Sequence, residues 1–459
     1  RPRRRAEWVD RTGAVHFQPA RAVIVCANGI GTPRLLLLSA DEKHPDGLAN
    51  SSGQVGRNLM LHPNCTAIGY YEDNLESWRG PAGQLIHSMQ FYDTDTSRGF
   101  VRGAKLHALP TPGPLNTIET HRQLDFDDLW GPAIHDVARA ASNGILWAAN
   151  VEDLPEEHNR VTLSTEEFDA DGLPAPKVEY RVSENTRKIL KYTVDRMVEL
   201  HEAAGAKQIF TQELWVDQPG HLLGTARMGD DPATSVVDSH GRAHDVDNLY
   251  IADGSIFVTS GSANPTCTIS ALAAGGQEGR RRRQRTEGIG MSTTPLDLQS
   301  APKRRLSVPG RHTAPPRPLT DTELTTLLRI ADCLIPASGE NPAASEADEY
   351  LRYLNLALAA RADVFDAVLS AVSEAADLHG DDLRAEIKRM WAEDKFTFDP
   401  LSSILAGAYF MTPQVKALIG YPGQHRDAAG FEDAANELET GILDPVLERG
   451  HFYVSANGE

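Results

Sequence analysis

Cysteine is scarce in this chain of 459 residues. Cys26, Cys65, Cys267 and Cys333 lie far apart, with no CxxC pair among them. That excludes a dense disulfide framework and the usual zinc spacings. Basic charge is also in deficit: 45 Lys and Arg against 64 Asp and Glu give a net charge of −19. A nucleic-acid binder needs a basic face for phosphate, so none is expected here. Long apolar runs are missing too. The longest uncharged stretch, Gly254 to Gln277, contains Ser260, Gly261, Ser262, Asn264 and Pro265 and is too polar to span a bilayer. There is no GxSxG elbow, no Walker A loop and no CxxCH haem motif. The first residues, Arg-Pro-Arg-Arg-Arg-Ala-Glu-Trp, carry neither Met nor an apolar core and do not form a secretory signal. They read as the interior of a longer protein. With no targeting signal in view, localisation stays open between cytoplasm and periplasm.

What is present divides into regions of different texture. Apolar residues make up 41% and charged residues 24%, the balance of a globular chain with more than one core. From Asp321 to Glu459 there are 25 acidic and 10 basic residues, a net of −15, which leaves −4 for the first 320. Residues 1–60 contain the β-branched run Ala-Val-Ile-Val-Cys-Ala, then an Asn28-Gly29 turn, then Thr32-Pro33 as cap and first position of a helix. That is one piece of a doubly wound α/β domain. Residues 61–217 alternate short β segments (66–71, 100–106, 145–151, 160–164) with Gly, Pro and Asp turns, which predicts an antiparallel sheet. One helix interrupts it, capped by Ser183 and ending at Gly205.

Residues 218–278 return to α/β character. A strand ends at Asp253-Gly254-Ser255, and a helix opens at Asn264-Pro265-Thr266 and runs to about Ala274. There Asn264 is expected to cap and Pro265 to start the helix. Residues 279–318 read as a linker holding Arg280–Arg283 and the Met291 segment, and Met291 looks like a former start codon joining two genes. Residues 319–459 are helical throughout. Thr320-Asp-Thr-Glu323 is a capping box, and helical patterns follow at 362–376, 382–391, 401–411 and 413–419, the last capped by Thr412. The fold class expected is therefore α/β (part of a doubly wound domain) with an antiparallel α+β domain, followed by an all-α domain.

The residues that carry chemistry sit in His221-Leu-Leu-Gly-Thr-Ala-Arg-Met-Gly229. Together with Asn248–Ser255, Asn264–Ala273, the Asn28–Leu37 segment and Gly53–Pro63, this pattern resembles the glucose–methanol–choline (GMC) flavin oxidoreductases. These ordered matches span about 260 residues, and the His-x-x-Gly-Thr form is similar to the branch acting on sugars and sugar acids. The resemblance implies an FAD-dependent dehydrogenase that oxidises a CH–OH group of a sugar, glycoside or sugar acid. It implies His221 as general base and Asn264 as its partner on the substrate hydroxyl. It also implies cofactor contacts from Asn28, Gly29, Asp253, Gly254, Asn264, Pro265 and Thr266. The residue types agree: a neutral imidazole suits removal of a hydroxyl proton. A helix start offers free N–H groups to negative charge.

Residues 319–459 resemble the third, small subunit of gluconate 2-dehydrogenase-like complexes, on Leu327–Pro336, Gly407–Pro413 and Ile419–Gln424. The partners this implies are a separate cytochrome c or other electron acceptor and an intact flavoprotein subunit. No twin-arginine signal follows Met291. The family's opening GxGxxG is absent, with Arg34 where the third glycine would stand after Gly29-x-Gly31. The chain is thus expected to be N-terminally truncated, to bind FAD poorly and to be inactive by itself.

Rival readings are a non-catalytic assembly subunit with a vestigial GMC segment, and a carbohydrate-binding module. His240 and His244, four apart, read as solvated loop rather than metal ligands. Arg280–Arg283 with Arg285 reads as solvated chain.

Overall fold

The computed structural model describes residues 5–10, 13–76, 78, 86–110, 113–121, 124–215, 220–286, 312–423, 439–441 and 444–449. They fall into two compact units. The first takes its residues from Arg1–Gly69, Ile86–Ala108 and Leu146–Ser307, the second from Tyr70–Leu85, Leu109–Ile145 and Val308–Glu459.

In the first unit, strand Val23–Val25 pairs in parallel with Leu249–Ile251 and is followed by helix Asn28–Leu38. The strand–turn–helix order is as the sequence implies, but the helix begins at Asn28, five residues before Pro33. Asn28 closes its first turn, accepting from the Ile30 and Gly31 amides at 2.9 and 3.2 Å. Pro33 therefore lies inside the helix. Proline has no N–H to give the Gly29 carbonyl, and the Thr225 hydroxyl donates to that carbonyl instead, at 2.8 Å. Thr32, expected as a cap, is fully buried and donates to Asp253 at 2.6 Å.

A five-stranded sheet follows in the order Gln208–Gln212, Asn64–Tyr70, Gly144–Val151, Ala104–Pro110, Ile86–Ser88. Helix Glu184–Ala203 lays Ile189, Leu190, Val194 and Met197 into a cluster with Cys65, Ala67, Leu106 and Ala149. Ser183 caps it, accepting from the Thr186 amide at 3.0 Å. The strand expected at 100–106 starts at Ala104 instead. Arg102 has a left-handed φ of 72°, which breaks an extended run before that point.

The last helix of this unit, Thr266–Thr286, runs past the expected end near Ala274 and into the segment read as linker. Gln277 to Arg285 is rich in Arg and Gln, which propagate a helix readily. The remainder of that linker, with Gly288 to Met291, lies outside the described residues, as do Gln424 and the chain beyond 449.

The second unit draws residues 109–145 away from the region read as substrate domain and into company with the C-terminal helices. Helices Pro114–Thr120, Phe126–Leu129 and Ala133–Arg139 contribute Ile118, Phe126, Leu129, Trp130, Ile134 and Ala138 to one apolar cluster. Leu327, Ile330, Leu334, Leu354, Ile387, Phe398 and Leu405 complete it from the far end of the chain. Trp130 meets Phe398 edge to face at 5.8 Å. The pairing is polar as well: the Gly131 amide donates to the Leu334 carbonyl at 2.8 Å, an acceptor orphaned at a helix end.

Helices Asp321–Leu334, Tyr350–Ala360, Phe365–Glu374, Gly380–Glu393, Lys395–Met411 and Pro413–Leu418 form the rest. Thr320 and Glu323 close the capping box that the sequence implies, and Thr412 caps its helix. The helix expected from Leu401 begins at Lys395 because Asp394 caps it, accepting from the Thr397 amide at 3.2 Å. No described helix is long and apolar enough to cross a membrane.

Candidate active site

His221 owes its position to a fault in a sheet. Strand Gly220–Leu223 pairs antiparallel with Met60–His62, with Gly220 opposite His62 and Leu223 opposite Met60. The first strand spends one more residue than its partner over that interval, which is a bulge. His221 absorbs it with a left-handed φ of 55°. Such backbone is costly for a residue with a Cβ and re-aims the side chain. The imidazole meets His62, with Nδ1 to Nδ1 at 2.7 Å and the rings edge to face at 73°.

His62 is fully buried. Burial, then the neighbouring His221, push it down to about 4, and the Lys105 charge adds to this. His221 is half-buried, and burial followed by the Lys105 charge also lowers it from the ordinary histidine value. Both rings are therefore neutral at pH 7.

Lys105 joins this pair to Asn264. Its ammonium, on a side chain 5% exposed, donates to the Asn264 carboxamide oxygen. Asn150 Nδ2 stands 3.5 Å from the same oxygen. Burial lowers the Lys105 pKa. The carboxamide oxygen thus faces Lys105 and Asn150, and no described bond from it caps the helix, contrary to the cap expected of Asn264. The Pro265 carbonyl accepts from the Ile269 amide at 2.8 Å and so opens the Thr266 helix. Asn264 and Pro265 line an open cavity of about 290 Å³ with Tyr92, Ser260, Gly261 and Thr268.

The other residues implied as cofactor contacts gather on the opposite neighbour of His221. A Cβ on Gly29 would stand 2.6 Å from the Leu222 carbonyl carbon and oxygen, and one on Gly254 would stand 2.5 Å from Leu223 Cδ2. Only glycine fits at 29, where the obstacle is main chain, whereas a larger residue at 254 would have to displace the Leu223 side chain. Asp253 accepts from the Ala27 amide at 2.9 Å and the Thr32 hydroxyl at 2.6 Å with one oxygen, and from the Ser255 amide at 2.8 Å with the other. Packing and internal bonding account for the residue types at 28, 29, 253 and 254. The Asn264–Pro265–Thr266 corner is different: Asn264 and Thr266 are exposed, and Asn264 and Pro265 border the cavity. That corner fits a planar, electron-accepting group, with a helix start to receive negative charge.

Three members of this cluster were not singled out from sequence. His62 lies in the Gly53–Pro63 segment, whose overall pattern drew the notice. Lys105 and His107 share one face of an otherwise apolar strand, and a lysine in such a place is the signal that could have been read. Asn150 gave no sign. His244, by contrast, is tied to the Ser235 hydroxyl at 2.9 Å and the Gly229 carbonyl at 3.1 Å, within its own loop.

Residues 155–273 match the C-terminal domain of the GMC oxidoreductases. That family is FAD-dependent. Full-length relatives are similar over part of their length. A 2-methyl-1,2-propanediol dehydrogenase from Mycolicibacterium austroafricanum is 39% identical over 283 residues, 58% of this chain and 49% of that protein. A fructose dehydrogenase large subunit from Gluconobacter japonicus is 34% identical, covering 56% of this chain and 46% of its own. A paromamine 6'-oxidase from Streptomyces fradiae is 32% identical, covering 58% and 46%. The chain thus spans about half the length of the curated relatives it matches. These relatives are oxidoreductases acting on CH–OH donors.

Proposed function

We propose that this chain carries the proton-handling half of an alcohol dehydrogenase site, acting on a CH–OH group of a sugar, glycoside or sugar acid. The observation that supports it most is Lys105: it bonds Asn264 while its charge acts on His221 and His62. Residues far apart in sequence are thereby brought together, with Asn264 at the wall of the cavity.

FAD, when bound, supplies the acceptor for the hydride that leaves carbon, and the Asn264–Pro265–Thr266 corner would hold its reacting end. The chain's own residues manage the hydroxyl. Neutral His221 takes the hydroxyl proton on Nε2. The Asn264 carboxamide orients the hydroxyl by hydrogen bonding. Lys105 stabilises the negative charge that grows on oxygen as the proton departs, an effect strengthened by burial. Loss of one proton and one hydride converts the alcohol to a carbonyl compound. Residues 319–459 would serve as the small-subunit-like part, and the electrons would pass to a separate cytochrome c or other acceptor.

The test is reduction of an artificial electron-accepting dye by an FAD-loaded chimera in which a relative's GxGxxG segment is joined ahead of this chain, across a panel of polyols, sugars and sugar acids. Dye reduction that requires one of these alcohols supports the proposal. Flavin that binds but is bleached by none of them contradicts it. Co-purification with a separate intact flavoprotein, with no flavin on this chain, would favour the assembly-subunit reading instead.

A further inference from the structure

Two neutral imidazoles that meet through their Nδ1 atoms cannot both be in the same tautomer. At 2.7 Å, one Nδ1 carries the proton and the other accepts it. If His62 donates, His221 holds its remaining proton on Nε2 and has no lone pair to offer a substrate. If His221 donates, its Nε2 is free. The choice is therefore decisive for the proposed reaction, and the surroundings of His62 make it.

His62 Nε2 is buried and completes no well-formed hydrogen bond. The main chain of Ser260 and Gly261 nevertheless acts on the ring to favour protonation, as carbonyl acceptors do. With Nδ1 engaged by His221, Nε2 is the nitrogen left to these acceptors, and carbonyl oxygens attract an N–H where they repel a bare lone pair. This segment is held in place from behind. The Asp153 amide donates to Ser260 Oγ at 3.1 Å, and that hydroxyl donates to the Asp153 carbonyl at 3.0 Å. Asp153 in turn accepts from Tyr180 at 2.8 Å and Thr186 at 3.0 Å. The proton on His62 is thus directed to Nε2, its Nδ1 becomes the acceptor, and His221 must donate.

We propose that His62 is a positioning residue: it holds His221 in the Nδ1–H tautomer and so leaves the His221 Nε2 lone pair open toward substrate. The inference rests on the proposed role of His221 as base. The bulge and the left-handed backbone at residue 221 are the means by which that ring is brought against His62. Lys105, the fixed positive charge beside the pair, disfavours a second proton on either ring.

The experiment is nitrogen NMR of the full chain with ¹⁵N-labelled histidine at pH 7.5, the rings assigned through His62→Gln and His221→Gln. The expected result is His221 protonated on Nδ1 and bare on Nε2, with His62 the reverse. In His62→Leu, His221 should return to the Nε2–H form that imidazole side chains favour in water. In His62→Gln, whose amide oxygen can still accept, it should stay Nδ1–H. A wild-type His221 protonated on Nε2, or a tautomer unaltered in His62→Leu, overturns the proposal. Should His62→Leu fail to fold, the wild-type pattern decides alone. No alcohol turnover enters this readout, so an enzyme that oxidises nothing while showing the expected tautomers would sink the redox reading and not this one.

Discussion

In the helical unit, buried histidines end on the main chain. His121 donates through Nδ1 to the Thr117 carbonyl at 2.7 Å and meets the Tyr70 hydroxyl at 2.8 Å through Nε2. His135 donates through Nε2 to the Pro336 carbonyl at 2.8 Å. In the first unit His201 likewise reaches the Ala67 carbonyl at 3.0 Å, but His62 and His221 end on one another. Burial lowers the pKa of all five. A lowered pKa therefore does not separate a structural histidine from a chemical one. The destination of the ring protons does: a carbonyl fixes a fold, whereas a second imidazole, with an ammonium and two carboxamides alongside, is the arrangement on which the proposed proton transfer rests.

The same contrast holds for what fills each unit. The second is organised by an apolar cluster that residues 109–145 and the C-terminal helices share. The first buries Lys105, Asn150, Glu152 and Asp153 beside its apolar residues. The sharpest way to break this comparison is to remove Trp130, 3% exposed in the shared cluster. Trp130→Ala should cost about 3–5 kcal/mol in chemical denaturation. Amide exchange should rise in helix Asp321–Leu334, nearly 200 residues away by subtraction, and remain slow in Glu184–Ala203. Equal loss of protection in both helices would show that the two units do not differ in this way. The same core predicts that a chain cut by a protease site placed among residues 287–311 still elutes as one species, because the cut spares the shared cluster. Separation of the fragments would contradict it.

A smaller effect tests the polar side. His62 has a folded pKa of about 4 and an ordinary value of 6.5. Between those values the unfolded chain binds more protons, so stability rises with pH. The contribution is fully present above about 6.5, is lost as pH falls toward about 4, and amounts to roughly 3 kcal/mol at most. Denaturation midpoints measured from pH 4 to 7 should show this slope, and His62→Leu should flatten it. An unaltered slope in that variant would move the acid sensitivity elsewhere.

How much of this could be read in the sequence depends on the range of the forces involved. Local signals served well. The Thr320–Glu323 box, the Ser183 and Thr412 caps and the β segments at 145–151 and 160–164 depend on a few neighbouring residues, and they form where expected. Thr32-Pro33 misled because a cap and a helix-interior proline look alike until Thr225 is known to serve the carbonyl that Pro33 leaves unbonded. Residues 109–145 misled because their apolar partners lie some 200 residues downstream. At the site, the resemblance pointed to His221 and Asn264. Lys105, which connects them, and His62, which meets His221, occupy ordinary-looking strands whose pairing no local pattern announces. The smallest prediction concerns the most legible feature: Thr320→Ala should lower stability by about 1 kcal/mol, read as a shift in the denaturation midpoint. No shift would mean that the box closes without contributing.

The central claim is that His221 takes a hydroxyl proton, and chemical rescue tests it most directly. In the FAD-loaded chimera that supplies the GxGxxG segment, with its best alcohol, His221→Ala should slow dye reduction by about 10²–10⁴-fold at pH 7. Added imidazole, entering the space the ring vacated, should restore part of the lost rate, while His135→Ala shows neither the loss nor the rescue. Turnover in His221→Ala within about tenfold of wild type, with no response to imidazole, would contradict the account.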